Sequence, residues 1–185
     1  MLQHFEFDLP GWVLPFVKDR GDVYATPEDR MALVIDLSAE NVKRGDGPFG
    51  AAVFDASGKL IAPGINLVTR NNCSILHAEM VAIAIAQQTL GRYDLSDGGK
   101  ENLELATSCE PCAMCFGAVP WSGVKRLLCG ARKQDAEASG FDEGAKPEAW
   151  AEALKVRGID VTVDLYRERA AEVLRRYAEG QGLIY

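Results

Sequence analysis

After residue 48 the chain alternates between strand-like and helix-like segments, and that order leaves few folds open. The short apolar runs "FGAAVF" (49–54) and "LIAPGINLV" (60–68) are joined by the turn "DASGK", which predicts an antiparallel hairpin. Pro63-Gly64 is expected to break or bulge its second strand. The order then runs helix (75–91), strand (102–108), helix (111–123), strand (124–130), helix (147–158), strand (160–164) and helix (165–179). Strands separated by helices predict a sheet covered on both faces. The expected fold is α/β: a three-layer α/β/α sandwich around a mixed sheet of five strands. Upstream, Thr26 reads as an N-cap, with Pro27 at the first helical position and Glu28 and Asp29 in the first turn. The helix it opens carries the apolar stripe Met31, Val34, Ile35, Ala39 and Val42, and Gly45 and Gly47 stop it. Residues 1–25 read as an irregular lead-in and 69–74 as a loop. No linker or repeat divides the 185 residues, so 1–185 is expected to be a single domain.

Charge and apolar patterning exclude whole classes of function. A net charge of −7 repels phosphate backbones, so no nucleic-acid partner is expected. "MLQHFEFDLPGW" lacks the basic and apolar regions of a secretory signal. The longest apolar stretch, near residues 80–86, is too short to span a bilayer. The expected location is cytoplasmic, with no membrane partner. There, five cysteines that include a Cys-x-x-Cys pair point to metal or redox chemistry rather than a disulfide frame.

The chemistry concentrates at two helix starts. His77, one of two histidines in the chain, opens "HAEMVAIAIAQQTLG", an otherwise apolar helix, and Glu79 follows it two residues later. "EPCAMC" puts Cys112 and Cys115 three residues apart, on one face of a first helical turn, where a helix N-terminus favours thiolates. If the two starts meet at one sheet edge, one nitrogen and two sulfurs come together, a set that suits zinc. Three protein ligands leave a fourth position for water, the mark of catalytic zinc, and zinc brings the pKa of that water to about 7. Glu79 then stands where a carboxylate reaches the water. Other readings share part of the pattern. Cys112 and Cys115 also fit a redox pair, His77 an ordinary hydrogen-bonded histidine, and Cys109 the fourth ligand of a structural site.

His77-Ala78-Glu79 followed by Pro111-Cys112-Ala113-Met114-Cys115 is the H-x-E…P-C-x-x-C signature, and the chain resembles the zinc-dependent nucleobase deaminases of the cytidine deaminase superfamily. "GPFGAAVF", "GIN", "TSCEPCAMCFGAVPWSGV" and "GFDEG" are similar to the bacterial guanine deaminase branch. The resemblance implies one Zn²⁺ per chain, with a bound water or hydroxide, on His77, Cys112 and Cys115. It implies Glu79 as proton shuttle and Glu143 as a second acid near the purine. Asn66 would hydrogen-bond the base, Phe49 and Phe141 would be pocket walls, and His77 and Ala78 would border the substrate. Trp121 and the C-terminal Tyr185 would close the pocket. It further implies a small nucleobase substrate and a homodimer that exchanges C-terminal segments, with the tail 180–185 docked on the partner. The reaction expected from it is hydrolysis of guanine to xanthine and ammonia. Guanosine, cytosine or cytidine, or an aminotriazine would use the same zinc chemistry in a different pocket. Editing of adenosine in transfer RNA and a non-catalytic zinc module are the remaining alternatives.

Read by residue type alone, the weaker positions have plainer roles. Phe49 is strand core, Asn66 a turn residue, "GFDEG" a solvated acidic loop, and Trp121 a packing residue at a helix end.

Overall fold

The computed structural model describes residues 6–185. The first elements are α1 (Val13–Lys18) and α2 (Pro27–Lys43). Helix α1 lies inside the stretch expected to be irregular. Two buried valines, Val13 and Val17, anchor it to the core four residues apart, although Pro15 stands in its first turn. Residues 1–5 of that stretch lie outside the described residues. Helix α2 begins as its sequence dictates. The Thr26 side chain accepts from the Asp29 N–H, and the Asp29 carboxylate accepts from the Thr26 N–H, both at 3.1 Å.

The hairpin is β1 (Gly50–Phe54) and β2 (Leu60–Ile65), followed by α3 (Val68–Asn71), a single turn where a loop was expected. The register shift in the hairpin falls between Val53 and Phe54, opposite Leu60 and Ala62, not at Pro63-Gly64. Pro63 pairs with Ala52 and is tolerated because β2 is an edge strand. Gly64 is required by close approach: a Cβ there would lie 2.3 Å from the Ala78 carbonyl oxygen.

The remaining elements are α4 (Ala78–Leu90), β3 (Glu104–Cys109), α5 (Ala113–Ser122), β4 (Arg126–Ala131), α6 (Lys133–Ala138), α7 (Trp150–Val156), β5 (Asp160–Thr162) and α8 (Arg167–Glu179). Helix α6 was not expected from the sequence. The strand order is β2-β1-β3-β4-β5, antiparallel in the hairpin and between β1 and β3, parallel from β3 to β5. This is the expected mixed five-stranded sheet. Helices α2 and α8 cover one face, and α4, α5 and α7 the other. The strands show why they read as unbroken apolar runs. In β1, Ala52 and Phe54 face the α2/α8 layer while Ala51 and Val53 face the α4 layer, so both faces are buried.

One buried ion pair ties the α2 layer to the sheet. Arg30 Nη1 donates to Glu104 Oε1 at 2.7 Å, and Arg30 Nε donates to the Tyr24 carbonyl at 2.9 Å. Among the described residues, no helix is long and apolar enough to cross a membrane.

Candidate active site

The N-termini of α4 and α5 meet, as the two motifs require. His77 is the N-cap of α4 and Cys112 the N-cap of α5, both in extended conformation, so each side chain leaves its helix at the open end. His77 Nδ1 lies 3.5 Å from Cys112 Sγ, and the ligand atoms of His77, Cys112 and Cys115 all fall within 4.8 Å of one another. Zn–N and Zn–S bonds of about 2.0 and 2.3 Å give tetrahedral edges of about 3.5–3.8 Å, and the 3.5 Å between His77 Nδ1 and Cys112 Sγ is such an edge. The donor set of one imidazole and two thiols is therefore dimensioned for zinc. Cys109 stands apart: its Sγ donates to the Arg132 carbonyl at 3.7 Å, and it is not in the cluster. A closed four-ligand site using Cys109 is thereby ruled out.

The electrostatics ready one sulfur of the three ligands. The Cys112 thiol is lowered to about 4 by a hydrogen bond from Cys115, against burial, with help from His77. Cys115, as the donor to Cys112 and deeply buried, is pushed up and keeps its proton until a cation takes both sulfurs. Burial lowers the His77 pKa, but the bond with Cys112 and the charges of Glu79, Cys112 and Glu143 outweigh it and leave the pKa raised.

Two carboxyls flank the cluster. Glu79, in the first turn of α4, is 6% exposed and its pKa is raised, first by burial and then by the Cys112 charge. Glu143 is 5% exposed and is pushed up to about 8 by burial and by the Cys112 and Glu79 charges. Its Oε2 is buried without a hydrogen-bond partner. The loop that carries it is fixed to the metal turn, because the Ala113 N–H donates to the Glu143 carbonyl at 2.9 Å. "GFDEG" is therefore not a solvated loop.

Phe49, His77, Glu79, Glu110, Cys112, Phe141, Asp142, Glu143 and Tyr185 line the pocket. The Phe49 and Phe141 rings meet edge to face at 4.9 Å, and Phe141 meets Tyr185 at 5.5 Å. Asn66 is 1% exposed at the end of β2. Its Oδ1 accepts from the Val68 N–H at 3.1 Å, while its Nδ2 is buried and unpartnered.

Residues 25–131 match the family model for the cytidine and deoxycytidylate deaminase zinc-binding region. The chain belongs to this family. Zinc is accordingly the metal of the His77, Cys112 and Cys115 cluster. The solved structure of guanine deaminase from Nitrosomonas europaea is 46% identical, with a TM-score of 0.89 over 97% of this chain and 98% of that one. A second structure, of a variant in complex with 8-azaguanine, is 46% identical, with a TM-score of 0.90 over 97% of this chain and 99% of that one. Guanine deaminase of Bacillus subtilis is 43% identical over 110 residues, which are 59% of this chain and 67% of that protein.

Three expected pocket residues, Asn66, Trp121 and Ala78, are not among the residues that line the pocket of this chain. Trp121 does not close the pocket of its own chain. It lies nine residues along α5 from Cys112, about 13 Å at 1.5 Å per residue, and is 80% exposed beside Arg157. The Ala78 side chain belongs to the core between α4 and the sheet, not to the pocket wall. In this single chain the tail folds back on its own subunit: the Tyr177 hydroxyl donates to the Leu183 carbonyl at 2.7 Å and Tyr185 packs on Phe141, while Leu183 and Ile184 stay exposed. Glu110 and Asp142 line the pocket without having been anticipated. Each is adjacent to a motif residue, Pro111 or Glu143, and adjacency was the available signal.

Proposed function

We propose that this protein is a zinc-dependent aminohydrolase that converts guanine and water to xanthine and ammonia. The observation that carries the reading is the pair of buried carboxyls, Glu79 and Glu143, that share an aromatic-walled pocket with the three-ligand cluster. A structural zinc site uses neither. The similarity to guanine deaminases over nearly the whole chain supports the substrate.

When bound, zinc supplies Lewis acidity that makes water nucleophilic near neutral pH. Glu79 accepts the proton of the attacking water and delivers it to a ring nitrogen as the C2–O bond forms. A positioned acid/base of this kind contributes about 10²–10⁴-fold. Guanine presents an amino group and N–H donors along one edge, and the unpartnered Glu143 Oε2 is an acceptor for them. Glu143 also takes the remaining proton from the new C2 hydroxyl and gives it to the amino nitrogen, so that C2=O forms, the C2–N bond breaks and ammonia leaves. Asn66 spends its oxygen on Val68, so it offers the base a donor through Nδ2 and pairs with a purine acceptor. Phe49 and Phe141 bound the ring plane.

With Tyr185 in place about 30 Å³ of the pocket is open to the centres of water molecules, room for about two or three waters. A purine fits once the terminal tyrosine gives way, and this tight enclosure favours the free base over a nucleoside. The protein is further proposed to be a cytoplasmic homodimer. Five free cysteines suit a reducing compartment. Helix α5 has no charged residue and leaves Gly117 and Trp121 exposed, a face suited to a second copy. The tail contacts made here within one subunit are the ones an exchanged dimer would make between subunits.

The test is substitution at the two carboxyls. Glu79→Ala abolishes turnover while zinc stays near one per chain; loss of zinc with it would make Glu79 a ligand and defeat the assignment. Glu143→Ala sharply reduces guanine turnover in a folded protein, and parental rates would return Glu143 to a structural role.

A further inference from the structure

Helix α2 lies in the part of the sequence that carries no motif, yet through one side chain it holds two residues packed behind Tyr185, which lines the pocket. Asn41 is fully buried. Its Nδ2 donates to the Gly47 carbonyl at 2.9 Å and to the Asn66 carbonyl at 3.0 Å. Both contacts are backbone acceptors, so only an amide nitrogen fits between them, and the orientation of the Asn41 amide is fixed by its partners. Its Oδ1 has no partner, so the residue is kept for its two donors.

What those donors hold is specific. Gly47 sits against the pocket wall, where a Cβ would lie 1.9 Å from the Tyr185 hydroxyl and 3.1 Å from Asn66 Oδ1. The Asn66 N–H donates to the Phe49 carbonyl at 3.1 Å, and Asn66 Oδ1 accepts from the Val68 N–H. With the Asn41 bond to the Asn66 carbonyl, three groups of Asn66 are fixed and only Nδ2 is free. That leaves one direction for its N–H donors.

We propose that Asn41 is a positioning residue for base recognition: it clamps the Gly47 and Asn66 backbones together and thereby aims Asn66 Nδ2 at the purine. The inference rests on the reading of Asn66 as the residue that binds the base. Asn41→Asp keeps the shape and turns both donors into acceptors facing two carbonyls, which forces them apart. A displacement of about 1 Å at a positioning group costs about 10²-fold in rate.

The experiment is a double-mutant cycle on the zinc-loaded protein, reading kcat/KM for guanine, zinc content and Tm for parent, Asn41→Asp, Asn66→Ala and the pair. Asn41→Asp lowers kcat/KM by about 10- to 100-fold with zinc unchanged, and by less than about threefold once Asn66 is alanine. Its effect on Tm is the same in both backgrounds, which separates aiming from plain stability. Equal losses of kcat/KM in both backgrounds, or no loss in the first, overturn the proposal. If Asn66→Ala alone leaves guanine turnover intact, the reading of Asn66 fails, and the proposal fails with it. Should Asn41→Asp not fold, Asn41→Ser runs the same cycle with the same criteria.

Discussion

Replacing Glu143 by glutamine should stabilise the metal-free protein in a pH-dependent way while removing activity. The carboxyl is 5% exposed, and burial together with the Cys112 and Glu79 charges raises its pKa from 4.5 to about 8. Between those values the folded chain holds a proton that the unfolded chain has released. Unfolding therefore loses a proton in this window, and stability falls as pH rises, by about 1.4 kcal/mol per pH unit. Over the whole window the penalty approaches about 5 kcal/mol, a ceiling reached above the folded pKa. Glu143→Gln has the same shape and no proton to lose. Relative to the parent, its stability should match near pH 4.5, rise through the window and level off above pH 8. Urea denaturation of the zinc-stripped proteins at several pH values between 4.5 and 9 reads the difference directly. Zinc places positive charge beside the carboxylate, so the gain should shrink in the loaded protein. Parallel stability curves for parent and variant would refute the claim that burial holds this carboxyl neutral, and with it the role of Glu143 as proton carrier.

Gly47→Ala places a methyl carbon 1.9 Å from the Tyr185 hydroxyl, against an ordinary contact of about 3.5 Å, so the terminal tyrosine must move by about 1.6 Å. Because that hydroxyl is the far end of a chain-terminal side chain, Tm should change little while kcat/KM for guanine falls about tenfold or more; unaltered steady-state kinetics would contradict this placement of Tyr185. Arg30→Met leaves Glu104 buried at 1% exposure with only the Arg126 guanidinium, at 3.5 Å, to oppose its charge. Breaking a buried pair costs about 3–5 kcal/mol, and the remaining arginine argues for the lower end, about 3 kcal/mol by urea denaturation. A loss under 1 kcal/mol would show that the pair is not what ties α2 to the sheet.

The metal cluster was legible because its information is local. Cys112 and Cys115 share one helical turn, His77 and Glu79 another, and each turn is marked by its own punctuation. The mixed sheet was legible for the same reason: alternating short elements fix its class, and apolar runs such as "GAAVF" suit strands buried on both faces. Helices of four to six residues escaped. Helix α1 survives a proline because Val13 and Val17 are buried by the rest of the fold, and α3 and α6 are shorter than two turns, so their formation depends on their surroundings. The register shift was misplaced because the proline was read without knowing that β2 is an edge. Trp121 follows the cysteine motif closely in sequence, but α5 carries it away from the pocket of its own chain. Long-range polar contacts had no sequence signal at all. Arg30 and Glu104 are 74 residues apart and Asn41 and Asn66 are 25 apart, so their pairing exists only once the chain is folded.

The central claim is that Glu79, Glu143 and the zinc ligands together remove the amino group of guanine. The most direct measurement is ammonia release by the purified zinc-loaded protein offered guanine, guanosine, adenine, cytosine, cytidine and a small aminotriazine in parallel. The account predicts rapid release from guanine with xanthine as co-product, little from guanosine, and little from the pyrimidines. Release from another ring with none from guanine would contradict the pocket assignment, and silence across the panel with one zinc bound per chain would contradict catalysis itself.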